Sequence, residues 1–195
     1  MIETKYQEQL TSALAKFNTG ALPLWNEFIS LFKVVDLKAE DYWVRSGDLC
    51  EHMAFISKGL LRLFYDSPEG HEYNQGFYSE NMLLAPLDAI LKNRPSQYQI
   101  QALEDTFLLV ADYQAFHMLG EKEPAWRNAE LQLTQWLFMG NARRQAELLV
   151  GDADQRYRWF CKQHPELIQR LPQYHIASYL GISPVSLSRL RKQIQ

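Results

Sequence analysis

Apolar residues recur with three different rhythms along this chain. From Ile2 to Phe17 they keep helical spacing, with Tyr6, Leu10, Leu14 and Phe17 on one side. Thr19-Gly20 breaks that pattern, and Pro23 opens a second helical stretch, LWNEFISLFK, with Leu24, Phe28 and Leu31/Phe32 on one side. From Lys33 the rhythm shortens to β-type runs: VVDL, DYWVR, HMAFI, LLRLFYD, EYNQGFY, YQIQAL and TFLLVA. Turn signals separate them, among them SGD (46–48), SKG (57–59) and SPEG (67–70). Short strands at that pace predict an antiparallel sandwich or barrel. Between Glu80 and Ser96 the alternation stops, and NMLLAPLDAILKNRPS predicts an inserted turn with a short helix.

The third rhythm is helical to the end. Asp112 to Leu119 predicts one or two helical turns ended by Gly120. Pro124 then starts the longest periodic segment, which Trp126, Leu133, Trp136/Leu137, Met139 and Leu148/Leu149 keep apolar along most of its length. A helix of about 25 residues is about 37 Å long, and a small β domain cannot cover all of it. A paired copy of the helix would bury the second face; the alternative is a connecting helix that lies on its own β domain. Gly151-Asp152-Ala153-Asp154 is the candidate hinge. The first helix of the tail follows in ADQRYRWFCKQHPELI, with Tyr157, Phe160 and Leu167 on its apolar side.

The last stretch, LPQYHIASYLGISPVSLSRLRKQI (171–194), reads as two short helices and a turn. Ile176, Ala177 and Leu180 give the first helix an apolar face, and Ala177 is small enough for a close helix crossing. Gly181 can take the positive φ of a tight turn, and Ile182 plugs the corner. Ser183 is an N-cap with Pro184 at the first helical position, and Leu187 and Leu190 face back toward the first helix. Ser186, Ser188, Arg189, Arg191 and Lys192 then point outward. The pattern predicts a helix-turn-helix that offers its second helix to a DNA major groove. An αα-hairpin that merely packs is the alternative, but hydroxyls and cations on the outward face favour DNA.

Charge distribution supports this division. The chain of 195 residues has a formal net charge of −3, with 47% hydrophobic, 13% aromatic and 22% charged residues, so it can build cores and is not disordered by composition. From Gln155 to Gln195 there are seven Lys/Arg and one acid, Glu166, a balance of +6; the remainder holds thirteen basic and twenty-two acidic residues, −9. A basic tail on an acidic body fits a DNA-binding module joined to something else. Two distant cysteines, Cys50 and Cys161, cannot make a disulfide framework, a zinc site or an iron–sulfur cluster, and read as ordinary thiols that are buried or half-buried. The start, MIETKYQEQL, is not a signal peptide, and no apolar run approaches the ~20 residues that span a bilayer. The expectation is a soluble, cytoplasmic protein with no membrane contact, no metal and no bound cofactor.

The order helical lead, β-roll, long helix, hinge and helix-turn-helix resembles the Crp/Fnr family of bacterial transcription regulators over nearly the full length. WVRSGDLCEHMAFISKGLLRLFY (43–65), with Gly47-Asp48 and Gly59 in the turns, carries the resemblance, together with QIQALEDTFLLVAD (99–112) and IASYLGISPVSLSRLRK (176–192). It implies an α+β fold in three parts. Residues 1–123 would form an effector-sensing antiparallel β-roll, a cyclic-nucleotide-binding-like jelly roll, with flanking helices. Residues 124–151 would form a long dimerisation helix, and 152–195 a helix-turn-helix domain with a truncated wing, the chain stopping three residues after Lys192. The implied partners are double-stranded DNA, a second copy held through helix 124–151, a small-molecule effector and RNA polymerase.

The sequence departs from the family at the effector site. Members that bind cyclic nucleotides hold the ribose with a Glu and the phosphate with an Arg. Here Ser96 stands at the Arg position, Glu80 lies too early, and Arg94 follows no matching motif. A cyclic nucleotide would lack its counter-charge, so cAMP is not expected. Phe55, Phe64, Tyr73, Phe77 and Tyr98 could line an apolar pocket or could be core; with Arg94, the effector candidates are Phe64, Phe77 and Tyr98. The family's Arg-Glu pair that reads bases is replaced by Pro184-Val185, so the operator need not be the familiar one. The DNA-binding candidates are Ser183, Val185, Ser186, Ser188 and Arg189 on bases or phosphate, with Arg191, Lys192, Gln173 and His175 on phosphate. Arg189 is the candidate for a bidentate contact to guanine. Two other readings stay open: an interaction module that has lost DNA binding, and a metal-dependent β-roll enzyme. The second needs a His-x-His pair, and the roll has only His52 and His71, apart from each other. No nucleophile elbow is present, and no catalytic residue is assigned.

Overall fold

A computed structural model describes residues 2–17 and 22–194, without the side chains of 193 and 194. The Thr19-Gly20 break lies outside the described residues. The chain divides into two compact units, one of Met1–Phe64 with Gly76–Gln135, the other of Tyr65–Gln75 with Trp136–Gln195.

The first unit is a roll of two antiparallel sheets with helices on one side. Helices α1 (Thr4–Leu14) and α2 (Trp25–Ser30) lead into strands β1 (Lys33–Leu37), β2 (Tyr42–Val44), β3 (His52–Lys58), β4 (Leu61–Asp66), β5 (Glu72–Tyr78) and the two-residue β6 (Leu83–Leu84). Helix α3 (Leu87–Lys92) follows, then β7 (Gln99–Ala102), β8 (Thr106–Asp112) and α4 (Tyr113–Lys122). The sheets have the orders β1-β8-β3-β6 and β2-β7-β4-β5. All seven β-type runs of the sequence are strands, and the inserted helix is present; β6 is too short to show a rhythm.

Burial on both faces explains why HMAFI and TFLLVA do not alternate with polar residues. Met53 and Phe55 of β3, with Leu109 and Ala111 of β8, point to a cluster that holds Leu10, Leu14, Phe28, Phe116 and Trp126 of the helices. Their neighbours Ala54, Ile56, Leu108 and Val110 point the other way, between the sheets, and meet Leu61, Leu63 and Ile100. Tyr98 joins this cluster, with Trp43 and Tyr78 packed against it. On the second sheet Arg62 and Gln101 stand directly opposite each other and both are buried. The Arg62 Nε and Nη2 donate to Gln101 Oε1 at 2.8 and 2.6 Å.

Turn chemistry closes the roll as the sequence suggests. Gly59 sits at φ +103, and a Cβ there would lie 2.3 Å from Thr106 Oγ1, so only glycine fits. The expectation that Gly120 ends α4 is corrected: the helix runs on to Lys122. Gly120 serves packing instead, since a Cβ there would meet the backbone of Arg127 at 3.2 Å.

Helix α5 runs from Pro124 to Val150 without a break, 27 residues, about 40 Å long. Trp126 and Ala129 are its buried residues, and Trp126 Nε1 donates to Pro23 O at 2.6 Å. Phe138, Met139, Leu149 and Val150 are exposed at 71%, 69%, 76% and 84%. The second unit continues with α6 (Ala153–Gln163), a 3-10 turn (Pro165–Leu167), α7 (Gln173–Leu180) and α8 (Pro184–Ile194). Helix α6 starts at a capping box in which the Asp152 side chain accepts from Gln155 N and Gln155 answers the Asp152 backbone. It stops before Pro165, two residues after Gln163, rather than running through to Ile168.

Candidate nucleic-acid interface and sensing site

Helices α7 and α8 form the helix-turn-helix corner. Gly181 caps α7 in the left-handed region at φ 65, where the Ile182 N–H reaches back to Ala177 O at 3.0 Å. The Ser183 hydroxyl accepts from Ser186 N at 3.1 Å and lies 2.9 Å from the Ser186 hydroxyl. Ser183 is therefore the cap of α8, and the two hydroxyls already have partners. Leu187, Ile176, Ala177 and Leu180 are fully buried inside the corner.

The outward face of α8 carries the rest of the expected set. Ser183, Val185, Arg189 and Lys192 are exposed, while Ser186, Ser188 and Arg191 are half-buried. Gln173 is exposed at the start of α7. No acid lies on α8. His175 differs from its expected place beside Gln173: it is 3% exposed, turned inward onto the β4–β5 hairpin tip, with Nδ1 3.1 Å from Asn74 Nδ2. A ring so placed cannot reach a phosphate without leaving its partner.

Polar side chains aimed at main-chain atoms hold α7. Arg144 of α5 donates to Tyr179 O at 2.8 Å and to Asn74 O at 3.0 Å, with its guanidinium over the Tyr179 ring at 4.4 Å. Arg156 donates to Gly151 O, Leu180 O and Leu148 O at 2.9, 3.1 and 2.8 Å. It ties the C-terminal ends of α5 and α7 together, where helix carbonyls lack intrahelical donors. Burial raises the Tyr179 hydroxyl pKa above its usual value against the pull of Arg144. Burial likewise holds His164 below the ordinary histidine value, with Glu166 pulling it back up. None of Asn74, Arg144 and Arg156 carries a periodic signal that singles it out in the sequence.

Of the expected effector residues, Arg94 and Tyr98 meet at Asp88, while Phe64 and Phe77 lie outside the cluster that holds Tyr98. Tyr98 packs in the cluster between the sheets. Phe64 is fully buried, with the Arg62 guanidinium 3.8 Å over its ring, and Phe77 is 6% exposed on β5. Arg94 pairs with Asp88 at 3.2 Å, and Asp88 also accepts from the Tyr98 hydroxyl at 2.9 Å. Ser96, at the position of the phosphate-binding Arg, is buried, and its hydroxyl donates to Tyr98 O at 2.8 Å. The buried Ser96 hydroxyl is thus neutral and already engaged, and the nearby cation, Arg94, is paired.

Among the described residues no group of three His, Cys, Asp or Glu could hold a metal ion, and no helix is long and apolar enough to cross a membrane. Both cysteines are free and half-buried.

Residues 34–123 match the family model described as the cyclic nucleotide-binding domain. Over that segment the chain is similar to that family. A search of curated proteins finds no match. Among solved structures, a CooA mutant from Carboxydothermus hydrogenoformans superposes with a TM-score of 0.70 at 17% identity, over 86% of this chain and 78% of that one. FixK2 from Bradyrhizobium japonicum gives 0.70 at 14%, over 84% of each chain. A transcriptional regulator assigned to the crp/fnr family, from Eubacterium rectale, gives 0.69 at 17%, over 89% and 87%. At these identities the likeness is one of fold.

Proposed function

We propose that the protein is a sequence-specific DNA-binding transcription regulator of the Crp/Fnr type, cytoplasmic, and active as a homodimer. The exposed face of α8 carries this reading. Beyond a closed helix-turn-helix corner it presents Val185, Ser188, Arg189 and Lys192 with no acid among them. Arg189 would pair a guanine, Val185 a thymine methyl, and Gln173, Arg191 and Lys192 the phosphates. Ser183 and Ser186 would bond DNA only by leaving their cap.

Pairing through α5 is supported by its bare apolar positions. On an α-helix Phe138, Ala142 and Leu149 fall within about 40° of one another, with Met139 and Ala146 beside them. Exposure of 69–76% at Phe138, Met139 and Leu149 suits a second copy better than water. The effector remains the least constrained partner; the paired Arg94 and engaged Ser96 argue against a cyclic nucleotide, and no enzymatic role is assigned.

Selecting bound duplexes from a random pool tests the reading. The wild-type chain should enrich one sequence. Arg189→Ala should weaken that site by ~1–3 kcal/mol and loosen its preference, whereas Lys192→Ala should weaken all duplexes alike and flatten the salt dependence. A chain that enriches nothing at low ionic strength would instead be an interaction module of the same fold.

A further inference from the structure

The β4–β5 hairpin tip and α7 meet through a contact whose sense depends on one proton. Asn74 Nδ2 lies 3.1 Å from His175 Nδ1 and 3.2 Å from the backbone oxygen of His175. A carbonyl oxygen only accepts, so the Asn74 atom between them is its amide nitrogen, and Nδ1 must offer a lone pair. His175 is therefore neutral, with its proton on Nε2. We propose that this contact is a latch, closed by neutral His175 and opened when His175 takes up a proton, which frees the hairpin tip from α7.

Three observations leave a protonated ring no way to stay. A second N–H on Nδ1 would face the N–H of Asn74. Turning the Asn74 amide over would cure that clash but would set Oδ1 against the His175 carbonyl, two acceptors 3.2 Å apart. Sliding Asn74 aside is resisted from both directions. Its backbone N–H donates to Ser178 Oγ at 2.9 Å, Ser178 Oγ donates to Glu72 O at 2.9 Å, and Arg144 donates to Asn74 O at 3.0 Å. Asn74 is 2% exposed, so bulk water does not reach the contact. Its Oδ1 is already buried with no hydrogen-bond partner, so the closed latch holds little in reserve.

Two ionisable groups stand at this contact, Arg144 of α5 and Tyr174 of α7. Arg144 donates to Asn74 O at 3.0 Å. The Tyr174 ring lies 4.2 Å from the His175 ring. The Arg144 charge opposes protonation of the ring. It places the latch under the control of local charge as well as pH.

The test needs no DNA, so it stands or falls apart from the regulator reading. Amide exchange of residues 72–75 is followed in the full chain at about pH 8 and about pH 5, across the range in which histidine ordinarily titrates. After correction for intrinsic rates, wild-type protection should fall about tenfold at the lower pH. His175→Asn keeps an acceptor near the Nδ1 position and cannot take up a proton; its hairpin protection should not change with pH. Ser178→Ala should lower protection at both pH values and keep the pH dependence, and His164→Gln should keep it too. Parallel losses in wild type and His175→Asn would overturn the proposal. So would ¹⁵N shifts showing the His175 proton on Nδ1 at neutral pH, a result that needs no variant.

Discussion

The two units of this chain are held together by different physics. In the N-terminal unit, β3 and β8 bury both faces, and Phe55, Ile56, Leu108 and Leu109 are completely shielded from water. Burial of that kind does not depend on direction, pH or salt. The C-terminal unit has fewer large apolar side chains, chiefly Tyr157, Phe160, Ile176, Leu180 and Leu187. Its helices are positioned by Arg144, Arg156, Asn74 and Ser178, each bonded to main-chain atoms of another element. Directional bonds of this sort set geometry closely but are lost one substitution at a time. An N-terminal unit that keeps its shape and a C-terminal unit that can be retuned follow from that difference.

The comparison can be broken at its strongest point first. Phe55→Ala opens a cavity in the N-terminal unit and should cost about 3–5 kcal/mol, read by urea or thermal unfolding. A small loss would mean that the roll is not organised around that cluster. Arg156→Ala removes three charge-assisted bonds to carbonyls of α5 and α7 and should cost about 2–3 kcal/mol. Exchange should quicken in α7 and in the end of α5, with β3 and β8 unchanged; equal loosening of both units would remove the distinction. Ser183→Ala uncaps α8 and should cost about 1 kcal/mol, seen as fraying of its first turn.

The smallest effect concerns His164. Burial lowers its folded-state pKa, so the unfolded chain binds the proton more readily. Its contribution is complete above the ordinary histidine value of about 6.5 and is lost as pH falls from there through the depressed value. His164→Gln should flatten part of that slope in the C-terminal unit, and thermal melts between about pH 7 and about pH 5 check it.

Much of the roll and the helix-turn-helix is legible in the sequence because each rests on a local rule. Runs such as HMAFI mark doubly buried strands, Gly59 and Gly181 mark turns with positive φ, and Ser183-Pro184 marks a helix start. What escapes is long-range and polar. Asn74 and His175 are 101 residues apart, and an asparagine in EYNQGFY looks like any strand residue near a turn. His175 at the head of α7 looks exposed until the hairpin tip covers it. Gly120 reads as a stop signal because the close approach of Arg127 is a tertiary fact. Phe64 on β4, Phe77 on β5 and Tyr98 just ahead of β7 share aromatic character, and alternation alone does not separate pocket from core.

The central claim is that two chains pair along α5 and present two α8 helices to one duplex. Sedimentation of the chain alone, and then with a duplex selected from the random pool, tests it most directly. The account predicts a dimer that becomes two chains on one duplex, with binding that weakens steeply as salt rises. A single chain that leaves every duplex unshifted at low ionic strength would contradict it.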